Sequence, residues 1–221
     1  MKVFKFGGGI LNSADAVKKI PAIIGKYPGE PLVIVVSALG KTTNALEELV
    51  RAGFDKTGEQ KELLAKIAGY HQNITSGLFS NHSHPVFREI QEYWNNLEKA
   101  SENITDTSYS KYYDQLICFG ELISSRIVSH VLVESGIPNR WIDIRGILKT
   151  DSSYRDANVD WKTSAQLAEN ELKPFLENQS VPRPIIVTQG FIGSDQQGFS
   201  TSLGREGSDY TASILANLLN A

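Results

Sequence analysis

The chain has 221 residues, 41% hydrophobic and 21% charged, a make-up that allows one large buried core or two small ones. Its 22 basic and 25 acidic residues give a formal charge of −3 and are spread along the chain, without the basic stripe that nucleic-acid binding needs. The longest apolar run, Leu32 to Leu39, is far short of the ~18 residues that cross a bilayer, the single cysteine cannot close an internal disulfide, and Met1 leads at once into a strand-like Val3-Phe4-Lys5-Phe6 with no room for a secretory signal, so no membrane span is expected and the cytoplasm is the expected compartment.

Residues 2–6 read as a first strand, and Gly7-Gly8-Gly9 opens a turn that glycine enters cheaply. Ser13 is a candidate N-cap for a helix whose apolar face is Val17, Ile20, Ile24 and Tyr27, ended by Pro28-Gly29. Leu32 to Val36 is a continuous β-branched run, as expected of a strand buried on both faces of a parallel sheet. The loop 37–41 then leads into a helix from about Thr43 to Ala52, so ligand chemistry is expected beyond the carboxyl ends of the strands. From 56 to about 135 helical periodicity replaces strands, giving an insertion with helices near 59–79, 84–100 and 108–135 and a kink at Gly120. Strands are expected at 139–144 and 184–188, with a helix near 161–178 between them, and a last helix starts near Ser208. Alternating strands and amphipathic helices predict a three-layer α/β/α fold with a mainly parallel sheet.

Four segments carry candidate chemistry. Lys5-Phe6-Gly7-Gly8-Gly9 sets a lysine at a strand end beside unobstructed backbone N–H groups that could cradle phosphate oxygens, although a glycine turn after a strand can be purely structural. Ser37 to Asn44 gathers hydroxyls at a helix start, where Thr42 or Thr43 could equally be an ordinary N-cap. Gly120-Glu121, followed by Ser124 and Ser125, puts an acid in a mostly apolar helix; a first-turn acid after a kink is the plainer reading. Gly204 to Ala212 clusters Arg205, Glu206, Ser208 and Asp209 before a helix, and an N-cap needs only Ser208 or Asp209, whereas Arg205 adds a forked anion binder.

In this order the four segments resemble the aspartate kinase branch of the amino acid kinase family, whose members carry Lys-Phe-Gly-Gly, Ser-Ala…Thr-Asn, Gly-Glu and Gly-Arg-Gly-Gly-Ser-Asp; Gln189-Gly190-Phe191-Ile192-Gly193 is similar to a further family segment. The resemblance runs across the whole chain and implies the amino acid kinase fold with a helical insertion. It implies transfer of the γ-phosphoryl group of ATP, with Mg²⁺, to the β-carboxylate of L-aspartate, the first step toward lysine, threonine and methionine. It also implies that Lys5 contacts the transferring group, that Gly7, Gly8 and Gly9 bind phosphate, and that Asp209 organises the catalytic centre. Thr43, Glu121, Arg205 and Ser208 would hold aspartate, Glu121 through its α-ammonium.

Gly9-Ile10 stands where the family has a hydroxyl residue, and Glu206 replaces a family glycine, adding a charge that could pair with Arg205 or repel an anion. The family's nucleotide-binding segments and regulatory domains are expected beyond Ala221, which makes the chain a fragment of a homo-oligomeric enzyme with little activity alone. A non-catalytic amino-acid-binding module, or a kinase for another acceptor, is the alternative. His82-Ser83-His84 is set aside as a metal site for want of further ligands, and no metal-ligating residues are assigned. Cys118 is read as a buried inert thiol, and Tyr93, Trp94, Tyr109, Tyr112 and Tyr113 as packing within the insertion.

Overall fold

The computed structural model describes residues 1–102 and 108–221; residues 103–107, within the expected insertion, lie outside the described residues. In chain order the elements are β1 (Lys2–Phe6), α1 (Ala14–Val17), α2 (Ile20–Gly25), β2 (Leu32–Val36), α3 (Thr42–Phe54), α4 (Gln60–Leu78), α5 (Pro85–Glu102), α6 (Tyr109–Glu134), β3 (Arg140–Trp141), α7 (Trp161–Leu167), α8 (Lys173–Leu176), β4 (Ile185–Gln189), β5 (Ile192–Ser194), β6 (Ser200–Ser202) and α9 (Gly207–Leu218).

The four-stranded sheet has the order β1-β2-β4-β3, and every pairing in it is parallel. Side chains alternate across a strand, and the two cores follow that alternation. Leu32, Ile34, Val36, Ile185 and Val187 pack against α2 to α6, while Val33, Val35 and Ile186 pack against Leu172, Leu176, Ile214 and Leu215 on the opposite face. This gives three layers with helices on both sides, as the strand-helix alternation predicts.

Several expected elements differ. The first helix is two pieces, because Pro21 has no N–H with which to continue the ladder and the chain restarts at Ile20. It ends at Gly25, and Tyr27 is a surface residue set edge-on to Phe4 instead of a core residue. The strand expected at 139–144 shortens to Arg140–Trp141, because the Gln189 side chain takes the Ile144 N–H at 2.8 Å and the backbone turns into a short 3-10 helix, Ile144–Gly146. The helix near 161–178 widens into a π segment, Ala168–Leu172, just before Pro174, another residue that cannot donate. The β5–β6 hairpin was not expected at all.

α6 runs through Gly120 as one continuous helix. Gly120 permits close packing: a Cβ would sit 3.0 Å from the Ala38 Cβ and 3.3 Å from a Leu46 methyl. Long and apolar enough by composition to cross a bilayer, α6 is mostly buried in this fold, a stronger candidate than the 32–39 run. Its central position between the two cores carries Glu121 to the sheet's carboxyl edge.

Candidate functional site

The loops after β1 and β2 lie backbone to backbone. The Gly40 N–H donates to the Gly8 carbonyl at 3.0 Å, and a Cβ on Gly8 would stand 2.2 Å from the Ala38 carbonyl oxygen, so no side chain fits at residue 8. This contact forms one wall of a cavity of about 560 Å³ at the carboxyl edge of the sheet. Among the predicted site residues, Lys5, Gly8, Gly9, Thr43, Glu121, Arg205, Ser208 and Asp209 all line it. Gly7 does not line it; it backs the Lys5 side chain, whose Nζ would be 3.3 Å from a Cβ there.

Lys5 and Asp209, 204 residues apart, form a 2.8 Å ion pair across the cavity's end. Ser208 is buried at the start of α9, and Arg205 is exposed. The N-cap position of α9 belongs to Glu206 in left-handed conformation, without a side-chain cap bond, so neither Ser208 nor Asp209 caps the helix. Among the described residues Arg205 and Glu206 form no salt bridge, so of the two readings left open for Glu206 the pairing with Arg205 is not made. The cap of α3 is likewise Lys41 without a side-chain bond, while Thr42 donates to the Leu39 carbonyl at 2.6 Å and touches the buried His71 ring. That leaves Thr43, half-buried, facing the cavity.

Glu121 is not a first-turn acid: it sits in the middle of α6, only 3% exposed. One carboxylate oxygen accepts the Ala38 N–H at 3.2 Å; the other is buried and has no hydrogen-bond partner. Burial pushes its pKa from 4.5 up to about 8, partly offset by the Ala38 N–H. A carboxylate left in this state is completed by a ligand that brings donors, above all a cation.

Sequence reasoning missed four further residues of the cavity wall: Glu47, Tyr113, Arg155 and Phe191 as a wall residue. Glu47 is one helical turn beyond Thr43, the one spacing that could have flagged it. Tyr113, expected only to pack, donates its hydroxyl to Glu47 at 2.9 Å; burial and that acid raise its pKa well above 10. Arg155 lay in a stretch with no apolar period to read. Cys118 is buried, with its thiol pushed up to about 11, an unreactive state. His84 stacks on Phe79 and His82 leans on Phe87, and no group of three or more His, Cys, Asp or Glu among the described residues could hold a metal ion. A second cavity, about 520 Å³ and mostly apolar, lies between α3 and α4 and shares only Gly9 and Gly40 with the first; the converging charged groups single out the first.

A model of the amino acid kinase family matches residues 1–221. Lysine-sensitive aspartokinase 3 of Escherichia coli is 32% identical over 221 residues, covering 99% of this chain and 46% of that protein. The aspartokinase of Chlamydia trachomatis is 30% identical over 219 residues, covering 99% and 46%. Of solved structures, E. coli aspartokinase III in complex with aspartate and ADP superposes with a TM-score of 0.88 at 31% identity, covering 100% of this chain and 47% of that one. Aspartate kinase from Clostridium acetobutylicum gives 0.75 at 25%, covering 100% and 46%. The chain thus spans about half the length of the relatives it matches.

Proposed function

This chain belongs to the amino acid kinase family, and we propose that it is the acceptor-binding part of an aspartate kinase, which moves the γ-phosphoryl group of ATP onto the β-carboxylate of L-aspartate to give 4-phospho-L-aspartate. The single observation that carries this reading is the buried Glu121 oxygen without a partner, opening on the cavity that holds Lys5, Arg205 and Asp209. An α-ammonium supplies the donors that oxygen lacks, and Arg205 then takes the α-carboxylate in a forked pair. Thr43 and Ser208 add hydroxyls from the two helix starts.

The acceptor needs no general base, because a carboxylate with a pKa near ~3.9 is ionised at neutral pH. One of its oxygens forms the new bond to γ-phosphorus as the bond to the bridging oxygen breaks and ADP leaves. The chain's task is positioning and charge neutralisation: Lys5 neutralises the transferring group, the Gly8–Gly9 backbone lies where phosphate oxygens would approach, and Asp209 holds the Lys5 ammonium in place. Mg²⁺ arriving with the nucleotide would add further neutralisation. The residues fit it only with help, since among the described residues Asp209 is the one carboxylate paired with Lys5 and the phosphate oxygens must supply most ligands.

Glu121 gives the test a signature. Its folded pKa lies above the unfolded value, so the unfolded chain gives up this proton at lower pH, and stability is lost as pH rises from 4.5 toward about 8. An ammonium beside it favours the ionised form. Aspartate binding should therefore release about one proton at pH 6 and almost none at pH 9, tightening in between, read by titration calorimetry in buffers of different ionisation enthalpy. Glu121→Gln should remove the linkage. Aspartate binding without any proton release, or a gene product that makes no acyl phosphate from ATP and aspartate, would sink the reading.

A further inference from the structure

Five non-glycine residues among those described have a positive φ, and three of them, Arg155 (73°), Phe191 (70°) and Glu206 (57°), line this one cavity. Such strain persists only where the surroundings impose it, and it concentrates at functional sites. Phe191 and Glu206 have local reasons: the Phe191 N–H is held by the Thr211 hydroxyl at 2.9 Å, and Glu206 starts α9. Arg155 is held differently. Its N–H donates at 2.9 Å to Asp114, a fully buried carboxylate that also takes the Ser202 N–H at 2.8 Å and hydroxyl at 2.6 Å. Its carbonyl abuts Gly204, where a Cβ would stand 3.4 Å away, so Arg155 and Arg205 rise from adjoining loops.

The side chain is fixed as well. The guanidinium lies 4.7 Å from the centroid of the Tyr113 ring and 5.6 Å from that of Tyr109, and the Tyr113 ring is itself anchored by its bond to Glu47. A cation–π contact uses the charge of the guanidinium and not its N–H donors; among the described residues these meet no hydrogen-bond or salt-bridge partner. A cation has been set at the cavity wall with its donors unspent.

Resting on the kinase reading above, we propose that Arg155 is a specificity-determining residue that joins Arg205 in holding the acceptor carboxylate that is not phosphorylated. Two forked cations on neighbouring loops can take one carboxylate from two sides, which favours an acceptor with a free α-carboxylate over its amide.

The test is ligand binding by titration calorimetry, with L-aspartate, its α-amide and its β-amide, L-asparagine, as probes. Arg155→Gly removes the cation and at the same time relieves the backbone strain, so the fold should not suffer. It should weaken L-aspartate and L-asparagine tenfold or more and leave the α-amide within about twofold, while the melting temperature holds or rises. Arg155→Lys should recover part of the loss. Equal weakening of all three ligands would mean a merely structural role and overturn the proposal, as would loss confined to the α-amide, or no loss. If the parent protein binds no aspartate, the kinase reading falls and this inference with it; binding by the parent that Arg155→Gly leaves unchanged removes this inference alone.

Discussion

Of the carboxylates that line the cavity, Asp209 at the start of α9 and Glu121 in the middle of α6 are treated in opposite ways. Asp209 is 59% exposed and already paired with Lys5 at 2.8 Å, so folding alone assembles that end of the cleft. Glu121 is 3% exposed, has one backbone donor and a second oxygen with none, and its pKa rises to about 8. Solvent and a partner support the first; the second is complete only when something positive arrives. The Lys5–Asp209 end of the cavity is thus preassembled, and the Glu121 end is left for a ligand to finish.

The largest effect that would sharpen this contrast is expected where the aspartate is proposed to bind. Arg205→Ala should weaken aspartate binding ten- to a hundredfold, since a charge-assisted pair contributes about 1.5 to 3 kcal/mol, with no matching loss of fold stability because Arg205 is exposed. Arg205→Lys should rescue only part, because the planar fork is lost. Calorimetry on the three proteins would break the comparison if Arg205→Ala bound aspartate as tightly as the parent.

Next is the wall that both ends share. At Gly8 a methyl would meet the Ala38 carbonyl oxygen at 2.2 Å and the Gly40 carbonyl oxygen at 3.1 Å, both backbone atoms that cannot swing aside. Gly8→Ala should therefore cost about 1 to 3 kcal/mol by overpacking, measured by urea denaturation. Because Ala38 also supplies the N–H that Glu121 accepts, the same change should displace the Glu121 carboxylate and weaken aspartate binding. Gly9→Ala is the control: nothing lies within 4 Å of a Cβ there, and stability should hardly change.

What the sequence made legible follows the physics of each element. β2 and β4 are buried on both faces, so their apolar runs stand out, and the long helices α3 to α6 show their period. The β5–β6 hairpin escaped because its strands are three residues each and rich in serine, ordered by tertiary bonds such as those from Ser202 to Asp114. Pro21 and Pro174 were visible, yet whether a proline breaks a helix or is absorbed by a π turn depends on what packs around it. The four motif segments do converge on one cavity, but Tyr113 and Arg155 carry no motif. Their placement depends on a buried acid and a left-handed turn that only the folded chain displays.

The smallest expected effect tests the other half of the contrast. Lys5 and Asp209 form an ion pair of long sequence separation, and by distance alone it resembles a clasp joining the first strand to the last helix. Its side chains are 26% and 59% exposed, however, so water screens the attraction and already solvates both groups. Pairs of this kind contribute about 0.2 to 1 kcal/mol. What holds α9 to the sheet is instead the buried side of Ile214, Leu215 and Leu219. Asp209→Asn should thus shift the unfolding free energy by less than about 1 kcal/mol, and raising salt from low to moderate ionic strength should reduce even that difference. Denaturant melts of the two proteins at both salt concentrations would decide it. A loss well above this range, insensitive to salt, would mean that the pair is a structural clasp and that both ends of the cleft are held by burial after all.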